Sequence, residues 1–509
     1  MALSDFLAAV VAVLRRRPGD ILPMYVLGVA VAAIVRVVPF VAIAAGVLFL
    51  ATTGRLEAIR TQLADLEPPP TDPNADPEAV EAWATDLEPI VEQLLTPPLA
   101  ALAVVTIVVS LLLFVLLTAA VAAGQLAACY GRLRDDRGLV AGLAGARRYW
   151  PRFLGLFVLE VLCWMVILAT VGIVAALIAG VASLAAESMG VAVLVVGLAI
   201  VVAIVPLVLV RALFAFAPVA IVVDDAGVFE SVRSAGAFVR TQPVEAIFYY
   251  IIALVMGGGF VAVTGLLSLV NVATVGSLLA PLVLFPVLDL LKTAVYCDYR
   301  DRLTPPESPT RPLRTQFRAG LRRGWGELTS FVRATPGTHA LVIGLAVLGF
   351  GIGWLAAEPF VGTVETSIAA RLEGHVPPTA AIELFGNNWL VALTTAYGGI
   401  ALAIPAIVSL LFNGVFLGLI ARLEVDPAEL AAFVLPHGVL EIPAILVASA
   451  LGISVGVTAW RTWRGRETRA GLADALERAF WVLVGVGILL AIAAVIEGFV
   501  SPYYYRLLL

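Results

Sequence analysis

Runs of about twenty apolar residues recur from one end of this 509-residue chain to the other. A helix rising about 1.5 Å per residue needs that length to cross the roughly 30 Å hydrocarbon core of a bilayer. Composition agrees: 61% of the residues are apolar and only 14% are charged, against roughly a quarter charged in soluble domains. Mean hydropathy is +1.02. These values leave no room for a soluble catalytic domain, so the expected fold is all-α, a polytopic helical membrane protein.

Hydropathy and the placement of arginine predict about eleven crossings, near 21–50, 99–128, 152–184, 190–222, 244–270, 275–296, 337–357, 386–408, 409–423, 438–460 and 479–498. Arginine marks the cytoplasmic side of membrane proteins. Residues 1–20, 131–152, 223–243, 297–336 and 461–478 together hold 24 of the 32 basic residues, Lys292 being the single lysine. The expectation is a plasma-membrane protein with a cytoplasmic N-terminus and an external C-terminus. The opening "MALSDFLAAVVAVLRRRPGD" has its arginines after the apolar run and does not read as a cleaved signal peptide. Cys129, Cys163 and Cys297 lack metal or redox spacing and read as packing residues.

Three modules are expected. Residues 1–300 form a six-span N-terminal membrane module with an acidic, proline-rich external loop at 54–97. Residues 301–336 form a cytoplasmic linker with an interfacial helix, and 337–509 a second membrane module. The stretch 386–437 admits two spans or one broken helix. A recurring device precedes several spans: an amphipathic, arginine-bearing segment such as "LSDFLAAVVAVLRRRPGDILP" or "LRTQFRAGLRRGWGELTSFVRATPG". In the first, Leu3, Phe6, Leu7, Val10, Val11 and Leu14 follow helical spacing. Such helices are expected to lie in the headgroup plane, apolar side down. They either merely orient each hairpin or grip anionic lipid.

Charges inside spans are costly and expected to be paired. Glu160, Arg211, Asp289 and Lys292 fall at similar predicted depth, and Asp289 and Lys292, at i and i+3, share a helix face. They form a candidate intramembrane network, structural or part of a polar path. Arg36 has no evident partner and marks either a snorkelling side chain or a break before Pro39.

The last third carries "FGNNW" (385–389), "AYGG" (396–399), "LFNGVFLG" (411–418) and "LPHGVLEIPA" (435–444). His437 and Glu441, at i and i+4, are expected on one face of a helix that Pro436 opens, next to Gly438. Each is expensive unpaired in apolar surroundings. Asn387, Asn388 and Asn413 are natural amide partners, and Gly398, Gly399, Gly414 and Gly418 allow helices to approach closely. The cluster reads as a structural polar knot, a site for a proton, ion or lipid headgroup, or a metallohydrolase centre. One histidine and one glutamate fall short of the usual three zinc ligands, so no metal is expected.

This order of motifs resembles the stage II sporulation protein M family over roughly residues 320–500. The N-terminal stretch "RALFAFAPVAIVVDDAGVFESVRSAGAFVR" more loosely resembles multi-pass regions attached to some glycerophosphodiester phosphodiesterases, without their catalytic domain. The first resemblance implies a membrane scaffold or remodelling protein working with a membrane or cell-envelope protein partner. Membrane lipids are the other expected partner, with no cofactor. Neither a G-x-S-x-G elbow, a P-loop nor a dinucleotide fingerprint occurs, and arginines interleaved with spans suit lipid better than nucleic acid. The expected role is therefore non-enzymatic, and the competing one is a transporter or lipid-translocating protein using the buried polar residues.

Overall fold

The computed structural model describes residues 2–64, 66, 77–186, 189–362 and 365–507. The helices are α1 (Leu3–Arg16), α2 (Leu22–Val35), α3 (Val37–Thr52), α4 (Arg55–Ala64), α5 (Pro77–Leu94), α6 (Pro97–Arg132), α7 (Gly138–Ala186), α8 (Met189–Val223), α9 (Val228–Thr241) and α10 (Pro243–Leu269). They continue with α11 (Ala273–Leu279), a π-helical turn at Ala280–Leu284, α12 (Phe285–Tyr299), α13 (Leu313–Ala334), α14 (Pro336–Ala357), α15 (Ile368–Arg371), α16 (Pro377–Gly398), α17 (Ile404–Leu423), α18 (Pro427–Trp463), α19 (Arg469–Phe499) and α20 (Ser501–Tyr504). Among the described residues β-pairing is confined to one isolated bridge, Thr366 with Glu424. Among the described residues, ten helical stretches are long and apolar enough to cross a membrane. The chain is an all-α multi-pass membrane protein.

The eighth expected crossing, 386–408, falls on the end of α16, the turn after it and the start of α17; α16 begins at Pro377 and is too polar to join those ten. It ends at a tight turn in which Leu402 and Ala403 both adopt left-handed φ, near 61° and 64°. So 386–437 holds separate helices and not one broken span. Arg36 stands at the junction of α2 and α3. In the expected external loop, 54–97, the helices α4 and α5 form, while much of the proline-rich stretch, 67–76, lies outside the described residues.

By packing, the chain divides into two units, residues 1–28, 115–263 and 279–311, and residues 29–114, 264–278 and 312–509. These units are discontinuous in sequence. In the first, the buried Asp20 carboxylate accepts from the Gly138 and Leu139 amides, at 2.8 and 3.1 Å, and so caps α7 from a distant part of the chain. Arg132, also buried, stands 3.8 Å from it. Between α8 and α9 the Asp225 carboxylate accepts from Arg152 and Arg148, each at 2.6 Å. Those bonds, Arg152's foremost, hold Asp225 below the usual carboxylate range.

In the second unit, α14 and α17 touch backbone to backbone. A side chain at Gly353 would overlap the Val415 carbonyl, and one at Gly418 the Phe350 carbonyl. Small residues at four-residue spacing bring membrane helices this close. The α16–α17 turn is seated on α18, where a side chain at Gly456 would collide with the Ala403 amide.

The amphipathic segments depart from expectation. Helix α1 buries Phe6, Ala9, Val10 and Val13 in protein and leaves Leu7 and Val11 exposed. Helix α9 buries Ala235 and Phe238, the latter against Phe216 and Tyr296. The C-terminal half of α13 lies on α19 through Gly324 and Leu328, with ion pairs Arg323–Glu477 and Arg478–Glu327 at 3.2 and 3.3 Å. Burying apolar area against protein removes it from water just as lipid does. What these helices leave free is narrower than a full apolar face, and in α13 it includes Leu313 and Phe317 in the N-terminal half and Trp325 and Val332 in the C-terminal half.

Candidate functional site

Two polar clusters sit among the spans, one in each unit. In the first, Lys292 and Asp289 on α12 pair at 2.7 Å. The Tyr25 hydroxyl donates to Asp289 at 3.0 Å and adjoins the Cys129 thiol at 3.2 Å. Arg211 on α8 bonds Glu160 on α7 at 3.3 Å. The four residues expected to form a network thus make two ion pairs. The Asp289–Lys292 pair is largely enclosed, whereas the Arg211 side chain is 63% exposed.

The second cluster lies near the ends of α18 and α19 remote from their connection at 464–468. Helix α18 begins at Pro427, with the Asp426 carboxylate accepting from the Ala428 and Glu429 amides at 2.9 and 3.1 Å. Pro436 therefore does not open the helix; it lies inside it, as does Pro443. The cap ten residues upstream, with proline at the first helical position, supplies the stronger start signal.

His437 is 95% buried by residue surface, at 5% exposure. Its Nδ1 bonds the Ser501 hydroxyl of α20 at 3.0 Å, and its ring meets Phe433 edge-on. Its Nε2 points to Glu497 Oε1, 3.8 Å away, beyond hydrogen-bond length. One ligand-capable atom from each of His437, Glu441 and Glu497 falls within 4.8 Å of the others. Oε2 of Glu441 and Oε2 of Glu497 are buried without a hydrogen-bond partner.

Of the three asparagines, only Asn388 adjoins Glu441. Asn387 is exposed, and Asn413 donates to the Ser409 carbonyl of its own helix at 2.7 Å. Gly414 serves packing, facing the Ala346 carbonyl and Gly349. Gly438 is buried beside Val434. Glu497, within "AIAAVIEGFV", is the residue that sequence reasoning missed. Its signal was a lone carboxylate inside an apolar run. With it the count of possible ligands reaches three, which corrects the expectation that the set falls short.

A cavity of about 680 Å³ opens beside this cluster. His437 and Glu497 line it, with Arg371, His375, Glu383 and Phe433. Several of these are already engaged. His375 Nε2 donates to the Gly498 carbonyl at 2.9 Å, Arg371 donates to the buried Glu424 at 2.8 Å, and Glu383 accepts from the Thr274 hydroxyl and amide.

Comparison with known proteins gives two matches. Residues 139–297 match a domain of unknown function (DUF7847), and the looser N-terminal likeness to phosphodiesterase-associated membrane regions gains no support. No curated protein and no solved structure matches the chain. Residues 342–502 match Stage II sporulation protein M; the asparagine pair, the Asn-Gly step and the Pro-His-Gly-x-x-Glu run all fall inside them, and the C-terminal part of this chain is a module of that family.

Proposed function

We propose that the protein is a non-enzymatic scaffold of the plasma membrane that organises or remodels the bilayer and recruits a membrane or cell-envelope protein. The observation that carries this reading is α13. Its C-terminal half is fastened to α19 of the family module, while its N-terminal half keeps Leu313 and Phe317 exposed beside Arg314, Arg318 and Arg322. An apolar edge flanked by arginines inserts at the headgroup boundary, each arginine adding about 1 kcal/mol of attraction to anionic lipid. In this reading the arginine-rich connections face the cytoplasm, where such lipid is found.

The test is reconstitution of the full chain into vesicles with and without phosphatidylserine, imaged by electron cryomicroscopy. Vesicle deformation is expected only with the anionic lipid, and is expected to vanish in the triple variant Arg314→Gln, Arg318→Gln, Arg322→Gln. Deformation independent of both removes the proposal.

A second reading, a transporter or lipid-translocating protein, is favoured by the cavity that reaches His437 and Glu497. Ion, solute or labelled-lipid flux that disappears in Glu441→Gln would replace the scaffold with a pathway.

A further inference from the structure

We propose that His437, Glu441 and Glu497 bind one divalent first-row transition-metal ion of the zinc type, at the wall of the cavity between α18, α19 and α16. The inference is independent of the scaffold reading. It rests on the state of each donor atom.

The histidine is already oriented as a ligand. Burial leaves it 5% exposed, and the Ser501 hydroxyl holds Nδ1 at 3.0 Å. A partner on one ring nitrogen fixes the tautomer and aims the other at the metal, as in most histidine sites. Here the other nitrogen, Nε2, has no hydrogen bond within the protein and faces two carboxylates. Each carboxylate keeps one buried oxygen without a partner. Buried polar atoms are nearly always satisfied, so two carboxylates that each keep an orphan oxygen, on residues whose ligand atoms lie within 4.8 Å of one another and of the imidazole, indicate a missing species.

Charge selects what that species is. Two carboxylates this close in an apolar setting repel, and a proton or a cation must offset them. A divalent ion neutralises both. Imidazole with two carboxylates suits zinc and its neighbours better than magnesium or calcium, which take all-oxygen shells. Ligand atoms on one such ion stand about 3.4 Å apart at bond lengths of about 2.1 Å. The three donors lie within 4.8 Å of one another, so side-chain movements of about an ångström close the shell. The cavity lined by His437 and Glu497 supplies an entry path and room for a further ligand such as water.

The experiment uses the full chain in lipid nanodiscs, stripped with a chelator and titrated with Zn²⁺, bound metal being counted by mass spectrometry. About one ion per chain is expected, with affinity at least about tenfold weaker in Glu497→Gln and in Glu441→Gln. X-ray absorption on the zinc-loaded wild type is expected to show a shell of oxygen and a single imidazole. This second measurement needs no variant and decides the matter if the substitutions impair folding. No stoichiometric zinc, unchanged affinity in both folded variants, or a sulfur shell from Cys129, Cys163 or Cys297 overturns the proposal.

Discussion

The two polar clusters solve the same problem in opposite ways. Around Asp289 every strong group has an answer: Lys292 supplies the countercharge and Tyr25 a hydroxyl. Around His437 the protein supplies Ser501 to the ring and Asn388 to Glu441, and still leaves one oxygen of each carboxylate buried without a partner and the ring Nε2 beyond hydrogen-bond length of Glu497. Closed pairing of this kind stabilises a bundle, and open pairing marks a place where something else arrives. The difference separates structure from function more sharply than the mere presence of charge in a span.

Breaking one partner of the closed pair should have the largest effect. Lys292→Ala leaves Asp289 buried without its cation, a change that costs about 3–5 kcal/mol. A loss of that order is expected in the thermal unfolding of detergent-purified protein, and an unchanged midpoint would erase the contrast with the other cluster. Replacing both by apolar residues, Asp289→Leu with Lys292→Leu, should restore most of the stability, because the pair must also overcome its own desolvation.

The same operation on the open cluster should act in the other direction. In chelator-treated protein, Glu497→Gln removes one of two crowded carboxylates, so the midpoint is expected to stay level or rise. Zinc is expected to raise the wild-type midpoint, by mass action on the folded state, and not that of the variant. A variant that unfolds much earlier than wild type without metal would place Glu497 among structural residues like Lys292.

Ser501→Ala sharpens the comparison further. It should weaken zinc binding by about tenfold through loss of ring orientation, with a stability cost of only about 1 kcal/mol. Smallest is the pH dependence at Asp225. Its folded-state affinity for a proton is depressed, so its contribution is complete above the ordinary aspartate value of about 4. The contribution disappears as pH falls through the lowered value. Asp225→Asn should flatten that slight acid-side loss of stability in a pH series of unfolding midpoints.

Much of this was legible in the sequence because membrane insertion imposes long-period signals. Apolar length and arginine placement carried the spans, and the i, i+4 spacing carried His437 with Glu441. What was not legible depends on rotation and on distance along the chain. Asn387 and Asn388 are adjacent, about 100° apart on a helix, so only one of them can face Glu441. Glu497 lies on α19, and nothing local ties it to α18. The apolar stripe of α1 predicts a lipid-facing edge, yet Phe6, Val10 and Val13 cover protein, because hydrophobic spacing does not say which apolar medium receives it. The start of α18 was readable, in the Asp426–Pro427 cap, and the nearer proline drew the boundary instead.

That misplaced proline has a mechanical consequence. Pro436 and Pro443 each delete a backbone hydrogen bond from α18, and they bracket the turns that carry His437 and Glu441. Elsewhere the helix is a stiff rod. Here it is a softened section about two turns long, whose pitch can adjust at low cost without unseating the Gly452 and Gly456 contacts further along. The jaw that sets the spacing of two of the three donors is therefore compliant, while Glu497 is carried by a helix without internal proline and acts as the fixed anvil against which it closes.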